Sequence, residues 1–156
     1  MERHEQKIKM KSRISVIILC YRKFSFLYEA IDSVLNQDYE NIELIVSDDC
    51  SPDFPEDKIR EYIERNKGYN ITNTIINHEQ VNCGTVKHIN HALRLITGEY
   101  IALLAGDDIF FNDKALSSYI KGFEKAGEEY DIEMAQTAMC DYQLNNIQGY
   151  YLQPTI

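Results

Sequence analysis

Two acidic pairs carry most of the chemistry that this sequence can support, Asp48-Asp49 and Asp107-Asp108. Adjacent carboxylates repel, and burying them unpaired is costly. A divalent cation with oxygen ligands relieves that repulsion. Magnesium suits one or two carboxylates completed by substrate phosphates. An Asp after a strand is also a common turn or cap residue, so either pair alone is a weak signal. Two pairs at matching strand ends form a stronger one. His88 and His91 are three apart, a spacing that can hold a metal on a helix. No local carboxylate or cysteine completes that set, so both are expected as partly exposed helix residues. Cys20, Cys50, Cys83 and Cys140 form no C-x-x-C pair and no zinc spacing. Cys20, Cys50 and Cys83 fall near one edge, but as small buried hydrophobes rather than a thiolate site. Free thiols suit a reducing cytosol.

The elements that must position these groups are legible from hydrophobic spacing. Ile14–Cys20 and Ile42–Ser47 are short, β-branched apolar runs, as buried strands are. The second runs straight into Asp48-Asp49. Ile71–Asn77 reads as a third strand. Tyr100–Ala105 reads as a fourth and ends in Gly106-Asp107-Asp108. Between them lie helical patterns at Phe24–Asn36, Glu56–Asn66 and Thr85–Ile96, the last with Val86, Ile89, Leu93 and Ile96 on one face. Asp113 is placed to cap a further helix to about Ala126. Ile132–Cys140 reads as a fifth strand, and the tail after Asp141 as irregular and aromatic. Strands alternating with helices mean an α/β fold, a mostly parallel sheet with helices on both faces. Ligands of such sheets bind beyond the carboxyl ends of the strands. Tyr21, Asp49, the Asn82-Cys83-Gly84 turn and Asp107-Asp108 all fall there.

Bulk properties exclude several functions. The 156 residues are enough for one well-cored domain, and 44% hydrophobic with 26% charged residues is a globular composition. A net charge of −9 is unsuited to non-specific nucleic-acid binding. Residues 1–13 hold five basic and two acidic side chains, a net of +3, which leaves −12 for the remainder. That start is expected as a solubilising arm or a weak contact with anionic lipid. The same polar start lacks the apolar core of a secretory signal. No apolar run approaches the ~20 residues of a membrane-spanning helix.

Several ordered blocks resemble family 2 glycosyltransferases of the GT-A (Rossmann-like) fold. They are Val16-Ile-Ile-Leu-Cys-Tyr-Arg22, Ala30-Ile-Asp-Ser-Val-Leu-Asn-Gln37 and Glu43-Leu-Ile-Val-Ser-Asp-Asp-Cys-Ser-Pro-Asp53. Asn82-Cys-Gly-Thr-Val-Lys-His-Ile-Asn90 and Gly98-Glu-Tyr-Ile-Ala-Leu-Leu-Ala-Gly-Asp-Asp108 complete the set. The resemblance runs from Ile14 to about Asp113. It implies binding of a nucleotide-diphosphate sugar, most often a UDP-sugar, with Mn or Mg. It also implies inverting transfer to a saccharide or lipid-linked acceptor, as in bacterial-type cell-surface polysaccharide synthesis. Tyr21 then packs on the nucleobase and Asp49 hydrogen-bonds it, while Asp48 is structural. Asp107 contacts ribose or sugar, and Asp108 coordinates the metal. Ile89 stands where the family often has Arg, so that phosphate contact is lost. Lys87, two residues earlier, is the candidate substitute, with a solvated surface lysine as the alternative. Gly84 lets a helix start close to the donor, where backbone amides favour an anion.

The resemblance also implies an organisation. Residues 1–13 form the basic arm, 14–141 the nucleotide-sugar-binding domain, and 142–156 the start of an acceptor-side region. The family's general base lies later than Ile156, and Asp141 does not occupy its place. The chain is therefore expected as a truncated chain or gene fragment, cytoplasmic or peripheral to the inner membrane face. Two alternatives stay open. One is a non-catalytic nucleotide-binding module. The other is a receiver-like signalling domain, although receivers carry their acidic pair after the first strand.

Overall fold

The computed structural model describes residues 11–127, 137–141 and 147–151. The chain divides into two units, residues 1–117 and 118–156. The first unit holds a four-stranded parallel sheet: β1 (Ile14–Cys20), β2 (Ile42–Asp48), β3 (Ile71–His78) and β4 (Tyr100–Ala105), in the order β3-β2-β1-β4. The connecting helices are α1 (Leu27–Leu35), α2 (Glu56–Asn66) and α3 (Thr85–Ala92); α4 (Ala115–Ala126) follows β4. The α/β class, the parallel sheet and the helices on both faces all agree with expectation.

Period-two alternation divides the core. Ile17 and Ile45 pack with Ala92 of α3, joined by Leu19, Ile75 and Leu95. Val16, Ile18, Leu44 and Val46 point the other way and are fully buried. Leu27, Ala30, Ile31 and Val34 of α1 and Ile59 and Ile63 of α2 are also fully buried. The chain steps outward from β1 to β3, then returns past β1 to form β4. Right-handed crossovers put a helix on the opposite face when the direction reverses, in keeping with α3 packing on the Ile17 and Ile45 face. The reversal also makes the β1/β4 junction the switch point where open α/β sheets bind ligands.

Register aligns the carboxyl ends. Cys20 lies opposite Asp48, Asp48 opposite His78, and Leu19 opposite Ala105. Gly106 donates its N–H to Leu19 O at 2.8 Å. A Cβ there would sit 3.1 Å from Cys20 Cβ and 3.2 Å from Leu19 O, so any side chain would push β4 and β1 apart by a few tenths of an ångström at this exit.

At the opposite edge a buried carboxylate joins three strands. Glu43 accepts hydrogen bonds from Ser15 Oγ (2.6 Å), Asn73 Nδ2 (2.8 Å), Thr97 N (2.7 Å) and Thr97 Oγ1 (2.8 Å). Burial pushes its carboxyl up, but the Ser15, Thr97 and Asn73 donors together hold it below the ordinary range. Arg13 joins the same edge through Thr97 Oγ1 at 2.8 Å, and Lys11 pairs with Glu40 at 3.3 Å. The last part of the basic start is thus tied to the sheet; residues 1–10 lie outside the described residues.

The structure departs from the sequence reading in three places. α3 stops at Ala92 rather than Ile96, and its buried positions are His88 and Ala92, while Val86 is 73% exposed. Asp113 is exposed, and the Leu116 N–H in the first turn of α4 is met instead by Gln37 Oε1 at 3.0 Å. In the second unit, β5 (Thr137–Cys140) does not extend the parallel sheet. It pairs antiparallel with β6 (Ile147–Tyr151), inside the segment read as irregular. Residues 132–136 of the expected strand lie outside the described residues. Among the described residues no helix is long and apolar enough to cross a membrane.

Glu43→Gln should destabilise the chain by about 2–3 kcal/mol, because an amide turns a donor toward the Thr97 amide. A depressed carboxyl contributes stability above its unfolded value and loses it as pH falls through the folded value. Urea melts of both proteins should therefore converge below the ordinary glutamate range, and a constant difference at acid pH would contradict this account.

Candidate functional site at the carboxyl edge

The two acidic pairs face the same edge but live in opposite environments. Asp48 is fully buried at the end of β2. It accepts from Ser51 N and Ser51 Oγ, both at 2.6 Å, and from His78 Nδ1 at 2.9 Å. The Asp48-to-Ser51 step is a local side-chain-to-backbone turn, and its spacing is visible in the sequence. The His78 ring stacks on Phe54 with centroids 5.4 Å apart, which fixes the imidazole facing Asp48. Burial pushes the Cys20 thiol well up, and Asp48 pushes it further, so Cys20 stays protonated.

Asp49 is 4% exposed and clamps the turn that opens α3. Its Oδ1 accepts from Cys83 N (2.8 Å) and Cys83 Sγ (3.2 Å); its Oδ2 accepts from Gly84 N (2.9 Å) and Asn82 Nδ2 (3.1 Å). Four donors fill the acceptor directions of one carboxylate. Burial pushes this carboxyl up, yet the Cys83 and Gly84 bonds bring it below the ordinary aspartate range. Gly84 has φ +77°, a left-handed conformation that glycine adopts without strain, and it forms the N-cap of α3.

Behind the turn lies a buried polar network. His88 is 3% exposed, which corrects the expectation of a partly exposed residue. Its Nε2 lies 2.8 Å from Ser47 Oγ, which accepts from Asn77 Nδ2 at 3.1 Å. A neutral imidazole can donate to the Ser47 hydroxyl or accept from it, and Ser47 keeps a lone pair for Asn77 either way. Burial lowers the His88 pKa and favours that state, against the nearby acids. His91 contacts Glu79 Oε2 at 3.2 Å. Glu79 also accepts from Asn77, and the histidine pair is therefore committed to protein contacts. The α3 hydrophobic pattern hid this role, because a buried histidine looks like a polar surface position.

Asp107 and Asp108 differ from the first pair. Both are exposed, and neither carboxylate has a hydrogen-bond or ion-pair partner among the described residues. Partial desolvation of an otherwise solvent-exposed side chain, then the charge of Asp107, raises the Asp108 carboxyl above the ordinary aspartate range. That is uncompensated like-charge repulsion at the switch point of the sheet. No cluster of three or more His, Cys, Asp or Glu suited to a metal occurs among the described residues. Two carboxylates therefore fit only a cation that completes its shell with water and ligand oxygens.

The remaining candidates lie around these pairs. Tyr21, 40% exposed, leaves β1 between the two acidic edges, with the Arg22 guanidinium 5.0 Å from its ring centroid. Arg22 has φ 58°, held by its N–H bond to Ser51 Oγ at 2.7 Å. Such a conformation costs a non-glycine residue about 1 kcal/mol or more. Lys87 is exposed on the first turn of α3, with no ion pair among the described residues. The cysteines are free, and Cys83 is held by Asp49 rather than by another thiol.

Residues 15–151 match the model of the family described as glycosyl transferase family 2. An uncharacterized glycosyltransferase of Rickettsia bellii is 30% identical over 148 residues, which is 95% of this chain and 19% of that protein. The minor teichoic acid biosynthesis protein GgaB of Bacillus subtilis is 31% identical over 139 residues, covering 85% of this chain and 15% of that protein. Among solved structures, S. aureus TarS 1-349 in complex with UDP-GlcNAc superposes with a TM-score of 0.61 at 27% identity, over 72% of this chain and 31% of that one. The chain thus spans a fifth or less of the length of these two relatives.

Asp49→Asn should release the 82–84 turn, since the Cys83 and Gly84 amides lose a charged acceptor worth about 2 kcal/mol. Hydrogen exchange at those two amides should accelerate while β1 and β2 stay protected. Unchanged protection at Cys83 and Gly84 would contradict the clamp.

Proposed function

The chain belongs to glycosyl transferase family 2, and we propose that its carboxyl edge binds a nucleoside diphosphate sugar with a divalent cation for transfer of the sugar. The carrying observation is the exposed Asp107–Asp108 pair at the β1/β4 switch point, without a partner among the described residues and with the Asp108 carboxyl raised by partial desolvation and by Asp107. Asp108 holds the cation and Asp107 faces the ribose or sugar. A bound Mn or Mg supplies charge neutralisation for the leaving diphosphate. Tyr21 supports the nucleobase, with the Arg22 guanidinium against the same ring. Lys87 reaches toward the phosphates from α3 as a cation not committed to an acid among the described residues.

Asp49 takes a more limited part in this reading. Its four acceptor directions hold the 82–84 turn, so a base contact requires one donor to leave. The Asn82 amide and the Cys83 thiol are the two side-chain donors that can rotate away. The backbone amides of Cys83 and Gly84 remain, and with them the start of α3.

A UDP-sugar is the favoured donor, because TarS, 27% identical, was solved with UDP-GlcNAc. A saccharide or lipid-linked acceptor in cell-surface polymer synthesis follows from the likeness to GgaB, named for minor teichoic acid biosynthesis. Inverting displacement would require a base that takes the acceptor hydroxyl proton. The described acids at this edge do not suit that role, since Asp48 and Asp49 are buried and fully bonded, and Asp107 and Asp108 are assigned to the donor.

Calorimetric titration of UDP, with and without Mn²⁺, tests the reading. Mn²⁺ should tighten UDP binding to the wild type by about tenfold, roughly 1.4 kcal/mol. Asp108→Asn should abolish that gain. Because ligation needs the ionised carboxylate, the gain should fade as pH falls through the raised Asp108 value, above the range of an ordinary aspartate. Identical binding by both proteins, with no effect of Mn²⁺, would remove Asp108 from the metal site.

A further inference from the structure

We infer that Ser33 and Gln37, on and just after the last turn of α1, are positioning residues for the Asp107–Asp108 pair. The inference rests on the donor and metal reading of that pair. Its basis is how the acidic turn is held on both sides. On the strand side, Gly106 N donates to Leu19 O at 2.8 Å and Asp108 N donates to Ala105 O at 3.0 Å. On the far side, the first anchor is only two residues beyond Asp108. Phe110 N donates to Ser33 Oγ at 3.2 Å, while Ser33 Oγ donates to Ala30 O at 2.7 Å.

Gln37 supplies the second anchor. Its side chain is 4% exposed, and three bonds are made by its one amide. Nε2 donates to Ser33 O at 2.9 Å and to Asn112 O at 2.7 Å, and Oε1 accepts from Leu116 N at 3.0 Å. The adjacent Asp38 N donates to Asp113 O at 2.7 Å. The segment from Phe110 to Leu116 is therefore fastened to the end of α1 at four of its residues. None of these bonds serves the sheet itself.

A pair of carboxylates needs such fastening. They repel each other, and an exposed turn relaxes by swinging them apart. A cation with oxygen ligands gains most when that separation is already prevented. Groups that orient metal ligands without touching the metal commonly change affinity by about 10- to 100-fold when removed. Ser33 and Gln37 act in the same manner at one remove, since Ser33 bonds the Phe110 backbone two residues past Asp108, Gln37 bonds the backbone of Asn112 and Leu116 further along the same segment, and neither is itself a ligand.

The test measures Mn²⁺ affinity of the whole chain in the presence of saturating UDP, together with the thermal midpoint. Four variants are compared: Ser33→Ala, Ser33→Thr, Gln37→Leu and Tyr62→Phe. Tyr62→Phe removes the two bonds from the Tyr62 hydroxyl to Asp32 on the α1–α2 side, and so reports destabilisation of α1 alone. Ser33→Ala and Gln37→Leu should weaken Mn²⁺ binding about tenfold or more. Ser33→Thr, which keeps the hydroxyl, should restore it, and Tyr62→Phe should lower the midpoint without changing affinity. Wild-type affinity in Ser33→Ala and Gln37→Leu would overturn the inference. So would a loss matched by Tyr62→Phe or not rescued by Ser33→Thr. A wild type that does not respond to Mn²⁺ would instead overturn the metal reading of Asp108, and this inference with it.

Discussion

A carboxylate removed from water must be met by hydrogen-bond donors, and β2 carries this requirement three times. Glu43 is buried near its start, and Asp48 and Asp49 are buried at its end. Each draws donors from distant parts of the chain: Ser15, Asn73 and Thr97 to Glu43, His78 to Asp48 beside the local Ser51, and the 82–84 turn to Asp49. Hydrophobic burial assembles the sheet, since it is non-directional and the apolar strands are interchangeable in that respect. The acids are directional. They decide where the Thr97–Gly98 turn enters β4, how the chain leaves β1, and where α3 begins.

The second acidic pair is informative by contrast. Asp107 and Asp108 have the same chemistry as Asp48 and Asp49, but among the described residues β4 is the edge strand of the sheet and β2 is flanked on both sides. Donors can converge on Asp48 and Asp49 from the flanking strands. None among the described residues reaches Asp107 or Asp108, and their repulsion is left for a ligand to relieve. Satisfied charge builds the edge and unsatisfied charge is what the edge offers. Ser33 and Gln37 sit between these roles, using neutral hydrogen bonds to hold a charged turn.

The α3 segment shows how tertiary structure overrides a local pattern. Val86, Ile89, Leu93 and Ile96 make a plausible apolar face on a helix that runs to Ile96. The helix ends at Ala92, and the turn after it rotates Leu93, Leu95 and Ile96 onto the sheet by a different path. With Gly84 pinned by Asp49, the first turn of α3 has its phase set from outside. That phase brings His88 to Ser47 and leaves Val86 in solvent. In the second unit, pairing of Thr137–Cys140 with Ile147–Tyr151 is a long-range choice that strand propensity alone cannot make.

By itself the sequence determined the element order through α4, the parallel α/β class and the family resemblance. It also showed that two acidic pairs stand at carboxyl ends of strands. Those features depend on periodicity and on residue types within a few positions, which a linear chain displays directly. Only the tertiary structure decided which acids are structural and which remain available, because that depends on how many donors the flanking strands and turns bring to each carboxylate. It likewise decided that Asp49 is already occupied by the 82–84 turn, that His88 is interior, and that Gln37 rather than Asp113 meets the start of α4. Each of these is a contact between residues at least 33 positions apart, and its energy exists only once the sheet has brought them together.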